Sequence, residues 1–430
     1  MNLSIIFAIL IFSFLVITHE FGHFLMAKKA GIGVIEFSVG MGPRLLHFQR
    51  GETMYSLKLI PFGGSCMMVG EDDNSNAENA FGKKSVWARI LVVAGGPLFN
   101  FISAFILALI LVLCEGENPA KVTAVADAYG AGPAGIQVGD VITEIDGDSI
   151  TIGRDIALHF MLHPLDGSTL AVTYERDGQE YTTQLDPNYT RYRTGITYMA
   201  NNAAAVLSAV EDGLPAAEAG IQAGDVITAI NGTEIVTGQD LQQYFDEHPL
   251  DGNTLTITYE RNGAAYETEL TPVLGSTQAL GMTAIYTHEK TGPVGTVVGA
   301  WHEMGYSVKT VSASLKMLIT GQASVKDMSG PVGIVSVISS TVQASEPDGL
   351  YYVFLNLTNL AVLLSVNLGV FNLFPLPALD GGRLLFLLIE AVRRKPIPPE
   401  KEGMVHTAGF VLLMCLMVFV LYNDIVRLFQ

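Results

Sequence analysis

The sequence predicts a polytopic α-helical membrane protein with four transmembrane helices and an extracytoplasmic insertion of two similar α+β domains. Two observations predict this fold class. Four stretches, at 3–27, 90–114, 353–376 and 404–428, are almost entirely apolar, and about 20 apolar residues are enough for a helix to cross a bilayer. Between the second and third stretches lies a segment whose two halves repeat one another.

The first apolar stretch is expected to remain as a membrane span. No Lys or Arg precedes it, and no small-residue cleavage site separates it from Lys28 and Lys29. A secretory signal normally carries both features. We therefore assign residues 1–114 to the first two transmembrane helices and the segment between them, and residues 350–430 to the last two.

The distribution of charge predicts the topology. Basic residues cluster after the first stretch, before the second and after the third: Lys28, Lys29, Arg44, Arg50, Lys83, Lys84, Arg89, Arg393, Arg394 and Lys395. Loops rich in Lys and Arg stay in the cytoplasm. The N-terminus, the long segment between the second and third stretches, and the C-terminal tail are then extracytoplasmic.

The long outer segment is strongly acidic. Residues 115–300 hold seven Lys or Arg against 26 Asp or Glu, which predicts a solvated surface and argues against a nucleic-acid partner. The cysteines Cys66, Cys114 and Cys415 all lie outside 119–345, so no disulfide framework is expected there.

The repeat relates residues 135–185 to residues 220–270 at an offset of 85 without a gap. In each copy a Gly-Asp turn leads into a short apolar strand, at 141–145 and 226–230. An Asp-Gly or Asn-Gly turn, a helical stretch and an alternating strand pair follow. Two copies of this length indicate a tandem of domains, since solenoids stack more and shorter repeats.

These repeated patterns resemble PDZ domains of the circularly permuted bacterial kind, over 119–200 and 203–275. The resemblance implies capture of peptide termini by strand addition at a sheet edge. A spacer that only limits access to the membrane fits the sequence equally well. After the second copy, apolar residues recur at helical spacing over 297–319, so 290–345 is expected to be an amphipathic region on the outer membrane surface.

The first span ends in a motif that carries metal chemistry, His-Glu-Phe-Gly-His at 19–23. Residues four apart lie on one side of a helix, so His19 and His23 can share a Zn²⁺ ion. Glu20 lies beside the first imidazole, where its carboxylate can act as general base toward a metal-activated water. Such polar groups are costly to bury in a membrane unless they bind something.

Zinc needs a third protein ligand, and the end of the third span offers Asp380. It follows a run without charged residues, in a segment that two prolines and two glycines interrupt. Irregular backbone at membrane depth is tolerated only where it lines a cavity, and an intramembrane acid marks a functional site. Asn372 lies in the same run and can hold a substrate backbone.

The paired motifs, together with Gly96-Pro97 and Asn100 in the second span, resemble the site-2 protease family. The inserted repeat places the likeness with the bacterial RseP-like intramembrane zinc metalloproteases. The resemblance implies His19, His23 and Asp380 as zinc ligands and Glu20 as general base. It makes Asn372 and Asn100 candidate substrate contacts. Some relatives of this layout carry a single PDZ copy.

The resemblance also implies the kind of reaction. It suggests regulated intramembrane proteolysis of single-pass membrane proteins, as in stress responses: an anti-sigma factor after a first cut, or remnant signal peptides. The active site then lies toward the cytoplasmic side of the cell membrane, with the PDZ-like domains outside. The alternatives are a metal-handling membrane protein or a catalytically inactive PDZ scaffold, although a scaffold has no use for Glu20.

A segment after the first span is expected to contact substrate. Residues 52–60 alternate in polarity before a turn at 61–64, which predicts a strand at the cytoplasmic mouth. A free edge of that strand, near Leu57 and Leu59, can hold an unwound substrate in extended form. A hairpin that only plugs the helix bundle is the alternative.

Overall fold

The computed structural model describes residues 3–71, 75–285, 287–324, 326, 328–395 and 397–427. They form two compact units. The membrane unit contains the described parts of residues 1–120, 150–162 and 285–430, and the repeat unit contains residues 121–149 and 163–284.

The helices in chain order are α1 Leu3–Lys29, α2 Val86–Glu115, α3 Gly153–Leu162, α4 Pro215–Glu218, α5 Gly238–Glu247, α6 Pro293–Thr320, α7 Pro331–Ser345, α8 Leu350–Leu373, α9 Asp380–Arg393 and α10 Pro399–Arg427. The strands are β1 Val34–Arg50, β2 Thr53–Met68, β3 Ala124–Val125, β4 Val141–Ile145, β5 Asp148–Ser149, β6 Leu170–Arg176, β7 Gln179–Leu185, β8 Asn188–Arg193, β9 Ile196–Tyr198, β10 Leu207–Val210, β11 Val226–Ile230, β12 Thr233–Glu234, β13 Leu255–Arg261, β14 Ala264–Leu270, β15 Val273–Gln278 and β16 Met282–Thr283.

Helices α1, α2, α8 and α10 are long and apolar enough to cross a membrane, and they coincide with the four predicted stretches. Residue 428, the last of the fourth stretch, lies outside the described residues. Helix α8 ends at Leu373, three residues earlier than predicted. Pro375 and Pro377 follow, and a proline disfavours helical geometry in the residue before it.

The core of the membrane unit is built around α2. Small residues of this helix, Ala104 and Ala108, are fully buried against α6 and α8, because small side chains let helices approach closely. The apolar side of α6, including Ala300 and Val311, belongs to the same cluster. Part of the face that suggested a helix on the membrane surface is therefore covered by protein, whereas Val298 and Trp301 of that face are exposed. Helix α7 packs against α1 and α8.

Strands β1 and β2 bend so that one residue of β2 can pair with two different segments of β1. Leu57 pairs with both Val39 and Leu46, and neighbouring residues of β2 are likewise paired on two sides. The buried carboxylate of Glu36 accepts two hydrogen bonds from the guanidinium of Arg44, each 2.9 Å. These bonds lower the pKa of Glu36 to about 2, although burial opposes the shift.

In the repeat unit the predicted strands recur at the predicted places, while the helix of the first copy, α3, belongs to the membrane unit. One four-stranded sheet has the order β5-β4-β6-β7 and the other β12-β11-β13-β14. The tight turns begin at Asp146, Asp177, Asn231 and Asn262, all with positive φ and each followed by a glycine with positive φ. Two successive positive φ values define the type I′ turn, which matches the twist of a hairpin.

A buried ion pair recurs in both copies. Asp140, 1% exposed, accepts two hydrogen bonds of 2.7 Å from Arg176, and Asp225 does the same with Arg261. Burial by itself raises the pKa of Asp140. The hydrogen bonds from Arg176 and from the Gln137 N–H outweigh it, and the pKa of Asp140 is lowered overall.

Strands near or beyond the ends of the two predicted domain ranges complete the edges of each copy. Strand β16, after the second copy, pairs with β3 of the first. Strand β9, before the second copy, pairs with β10. Between them, β8 pairs with β15 over their full lengths, so the two copies are joined by backbone hydrogen bonds.

Candidate metal centre

Three side chains from two distant parts of the chain meet beside α1. The Nε2 atoms of His19 and His23 lie 3.2 Å apart. The Oδ2 atom of Asp380 lies 3.2 Å from the first and 3.3 Å from the second. Three ligand atoms placed tetrahedrally at about 2.0–2.1 Å from zinc would be separated by about 3.3–3.4 Å. The arrangement therefore fits a zinc ion.

The second nitrogen of each imidazole is also fixed. His23 Nδ1 lies 2.9 Å from the carbonyl oxygen of Val92, so Nδ1 donates its proton there and Nε2 keeps a free lone pair. A metal-binding histidine is commonly held in this way by a carbonyl acceptor.

His19 Nδ1 lies 3.0 Å from the side-chain nitrogen of Asn100. If Nε2 binds a cation, Nδ1 carries the proton and needs an acceptor. The Oδ1 atom of Asn100 is buried without a hydrogen-bond partner among the described residues. Exchanging the two amide atoms, whose assignment rests on the hydrogen-bond network, gives His19 its acceptor and makes Asn100 part of the metal centre.

Glycines let α1 and α2 cross closely enough for these contacts. A Cβ atom on Gly22 would lie 2.1 Å from the carbonyl oxygen of Gly95. One on Gly96 would lie 2.4 Å from His23 Nε2 and 2.7 Å from His19 Cε1. Only a hydrogen fits at Gly96, so this glycine forms the floor under both imidazoles.

Asp380 is held in place by the helix that it begins. It is the first residue of α9, just after the irregular segment that follows α8. Helix α9 is anchored by ion pairs from Arg89 to Glu390 and from Arg383 to Glu71. The carboxylate therefore has little freedom to leave the imidazoles.

The three side chains open into a cavity of about 510 Å³. Its wall also contains Glu20, residues 64–66 of β2, and residues of α10. Glu20 lies against this strand, because a Cβ atom on Gly64 would come within 3.1 Å of its Cγ atom. The cavity thus places a free carboxylate, a strand and the candidate ligands around one space.

Comparison with known proteins identifies the family. The family described as peptidase family M50 matches residues 7–416. This chain belongs to peptidase family M50. It is 32% identical to the zinc metalloprotease RasP of Oceanobacillus iheyensis, over 99% of each chain. It is 30% identical to a putative zinc metalloprotease of Clostridium acetobutylicum, over 98% of this chain and 97% of that one.

Membership of family M50 makes the protein a zinc metalloprotease, and an intramembrane protease of the site-2 type. Zn²⁺ is its cofactor, and the two imidazoles and one carboxylate above suit that ion. Among solved structures, the PDZ domain of HtrA3 bound to a phage-derived ligand shares 21% identity over 21% of this chain and 91% of that one, with a TM-score of 0.17.

The structure brings some of the predicted site residues together and not others. His19, His23, Glu20 and Asp380 share the cavity, and Asn100 contacts His19. Asn372 lies in the last turn of α8, half-buried and outside the cavity lining. Leu57 and Leu59 are exposed and also lie outside that lining.

Sequence reasoning gave no role to three features of the metal centre and its cavity. Gly96 was noted within a motif, but its position under the imidazoles depends on how α1 and α2 cross. The strand segment at the cavity is 64–66, where the sequence pattern had pointed to Leu57. His406, near the start of the fourth apolar stretch, also lines the cavity.

Proposed function

We propose that this protease cleaves single-pass membrane proteins within or at the edge of the bilayer, with His19, His23 and Asp380 as zinc ligands and Glu20 as general base. The observation that carries the proposal is the set of three ligand atoms within 3.3 Å of one another, beside a carboxylate that lines the same cavity.

When bound, zinc supplies a Lewis acid that lowers the pKa of a water molecule to about 7. Glu20 would take a proton from the water as its oxygen bonds to the scissile carbonyl carbon, and would pass it to the amide nitrogen as the C–N bond breaks. Residues 64–66 of β2, against which Glu20 lies, limit the positions that this carboxylate can take. Val92 and Asn100 hold the two imidazoles in the tautomers that direct Nε2 toward the ion.

The substrate must reach the site in extended form, because a helix hides its carbonyl groups in hydrogen bonds four residues apart. Residues 64–68 of β2 pair with β1 on one side only, within the described residues. Since residues 64–66 also line the cavity, we propose this edge as the place where unwound substrate adds a strand. Leu57 is already paired on both sides.

A photo-crosslinking residue distinguishes these two places. Placed at Ser65 in a Glu20→Gln background, it should capture a single-pass substrate, whereas the same residue at Leu57 should not. Equal capture at both positions would contradict the assignment of the 64–68 edge.

The basic residues around α1, α2 and α9 support a topology with the cavity toward the cytoplasm and the repeat unit outside. The repeat unit then either captures peptide termini or limits which ectodomains approach. Substrates with short ectodomains, such as an anti-sigma factor after a first cut or a remnant signal peptide, suit both roles.

The decisive experiment replaces Glu20 by Gln. We expect cleavage of a single-pass model substrate to fall by about 10²- to 10⁴-fold, while bound zinc is retained. Glu52→Gln, the same change at an exposed residue between β1 and β2, is the matched control and should cleave normally. Full activity of Glu20→Gln would refute the role of Glu20. Zinc retained by Asp380→Ala would refute the ligand set.

A further inference from the structure

The loop formed by residues 374–379, which leads into Asp380, is contacted by α10. The backbone N–H of Ala378 donates a hydrogen bond of 2.9 Å to His406 Nδ1. One turn further along α10, Gly409 lies against Pro377, where a Cβ atom would come within 2.3 Å of the proline side chain. The helix therefore contacts this loop closely at two places, at the hydrogen bond and one turn further along α10.

The loop has an unusual need for such a support. Pro375 and Pro377 have no N–H group to donate, so they cannot tie the loop together. Ala378 has φ +74°, a left-handed conformation that an alanine rarely adopts and that persists only where surroundings enforce it. Asp380 follows two residues later.

The tautomer of His406 suits this contact. Because Nδ1 accepts the hydrogen bond, the ring proton of a neutral imidazole lies on Nε2. That atom is 3.8 Å from a carboxylate oxygen of Glu402 on the same helix. The ring also packs against Phe386 of α9, with centroids 5.6 Å apart, so α9 and α10 fix its orientation together.

We propose that His406 is a positioning residue of the metal centre: by accepting the Ala378 N–H it fixes the loop that aims Asp380 at His19 and His23. This inference rests on the zinc site proposed above. Zinc ligands must be placed within about 0.2 Å, so a loop free to leave its left-handed conformation would hold the ion less tightly. His406 is not one of the proposed zinc ligands, and it acts on Asp380 through the loop.

The test compares three replacements of His406 in the full-length protein. Asn places its side-chain oxygen close to the position of Nδ1 and keeps the acceptor. Gln carries the same group one bond too far, and Leu removes it. We expect His406→Asn to keep zinc affinity and kcat near those of the wild type. His406→Gln and His406→Leu should bind zinc about 10- to 100-fold more weakly, with kcat reduced and KM little changed.

Zinc affinity is measured by competition with a chelator, and thermal unfolding is followed in parallel. Met404→Gln, an exposed neighbour on α10, is the control and should change neither quantity. The inference is overturned if His406→Leu binds zinc as the wild type does, or if His406→Asn is as defective as His406→Leu. Failure of the zinc site itself would appear separately, as Asp380→Ala retaining zinc.

Discussion

Gly96→Ala is the sharpest test of how the metal centre is built. The change adds one methyl group to α2, at a position where its carbon would lie 2.4 Å from His23 Nε2 and 2.7 Å from His19 Cε1. Non-bonded carbon and nitrogen atoms settle at about 3.5 Å. At least one imidazole must therefore move by about 1 Å.

The surroundings do not allow α2 to yield instead. Gly22 and Gly95 already bring the two helices into backbone contact, and the His23 ring is held by the Val92 carbonyl oxygen. Zinc tolerates errors of about 0.2 Å in ligand position, and a misplacement of about 1 Å costs about 10²-fold in rate. We expect zinc affinity and activity both to fall at least 100-fold.

The assay must separate loss of zinc from loss of fold. Alanine is favoured over glycine inside a helix by about 0.5–1 kcal/mol, so Gly96→Ala should not unfold α2 by itself. Gly305→Ala in α6, where an added Cβ meets no atom within 4 Å, is the matched control and should keep zinc and activity. Metal content, thermal unfolding and cleavage are measured on both. Stoichiometric zinc and normal cleavage in Gly96→Ala would refute the reasoning.

Two further predictions concern hydrogen bonds to buried groups. Asn100→Leu should weaken zinc binding about 10- to 100-fold because His19 Nδ1–H loses its acceptor, whereas Asn100→Asp keeps an acceptor and should bind zinc more tightly than Asn100→Leu. Equal affinities of the two variants, measured by chelator competition, would contradict the tautomer assigned to His19. In the repeat unit, Asp140→Asn should destabilise the fold by about 2–4 kcal/mol, because Arg176 loses its partner. Since the folded pKa of Asp140 is lowered, its stabilisation is complete above the unfolded pKa of about 3.9 and is lost as the pH falls through the folded value. Acid unfolding curves of Asp140→Asn should be flatter in that range, and curves parallel to the wild type would count against the ion pair.

Local sequence patterns were enough to predict much of the fold. The strands at 141–145 and 226–230 and the Asp-Gly and Asn-Gly turns after them were predicted residue for residue, because a hairpin depends on alternation and on a dipeptide that tolerates positive φ. The four apolar helices were predicted for the same kind of reason, since span length is set by bilayer thickness. The end of α8 was predicted three residues too late, because a proline disfavours helical geometry in the residue that precedes it.

The hairpin of β1 and β2 shows where local patterns fail. Alternation at 52–60 correctly predicted a strand, but it could not tell that Leu57 is paired on both sides while residues 64–68 have, among the described residues, a strand partner on one side only. Alternation describes the two faces of a strand. Which edge is covered depends on how β1 folds back over it.

The sequence by itself determined that His19 and His23 share one side of a helix, because a four-residue spacing fixes that geometry within one turn, and it marked Asp380 as an acid out of place among apolar residues. Only the tertiary structure decided that Gly96 lies beneath the imidazoles, that Asn100 faces His19 and that His406 supports the loop before Asp380. These contacts join residues far apart in the chain, and they depend on how closely whole helices pack. The spacing of residues along the sequence does not encode that distance.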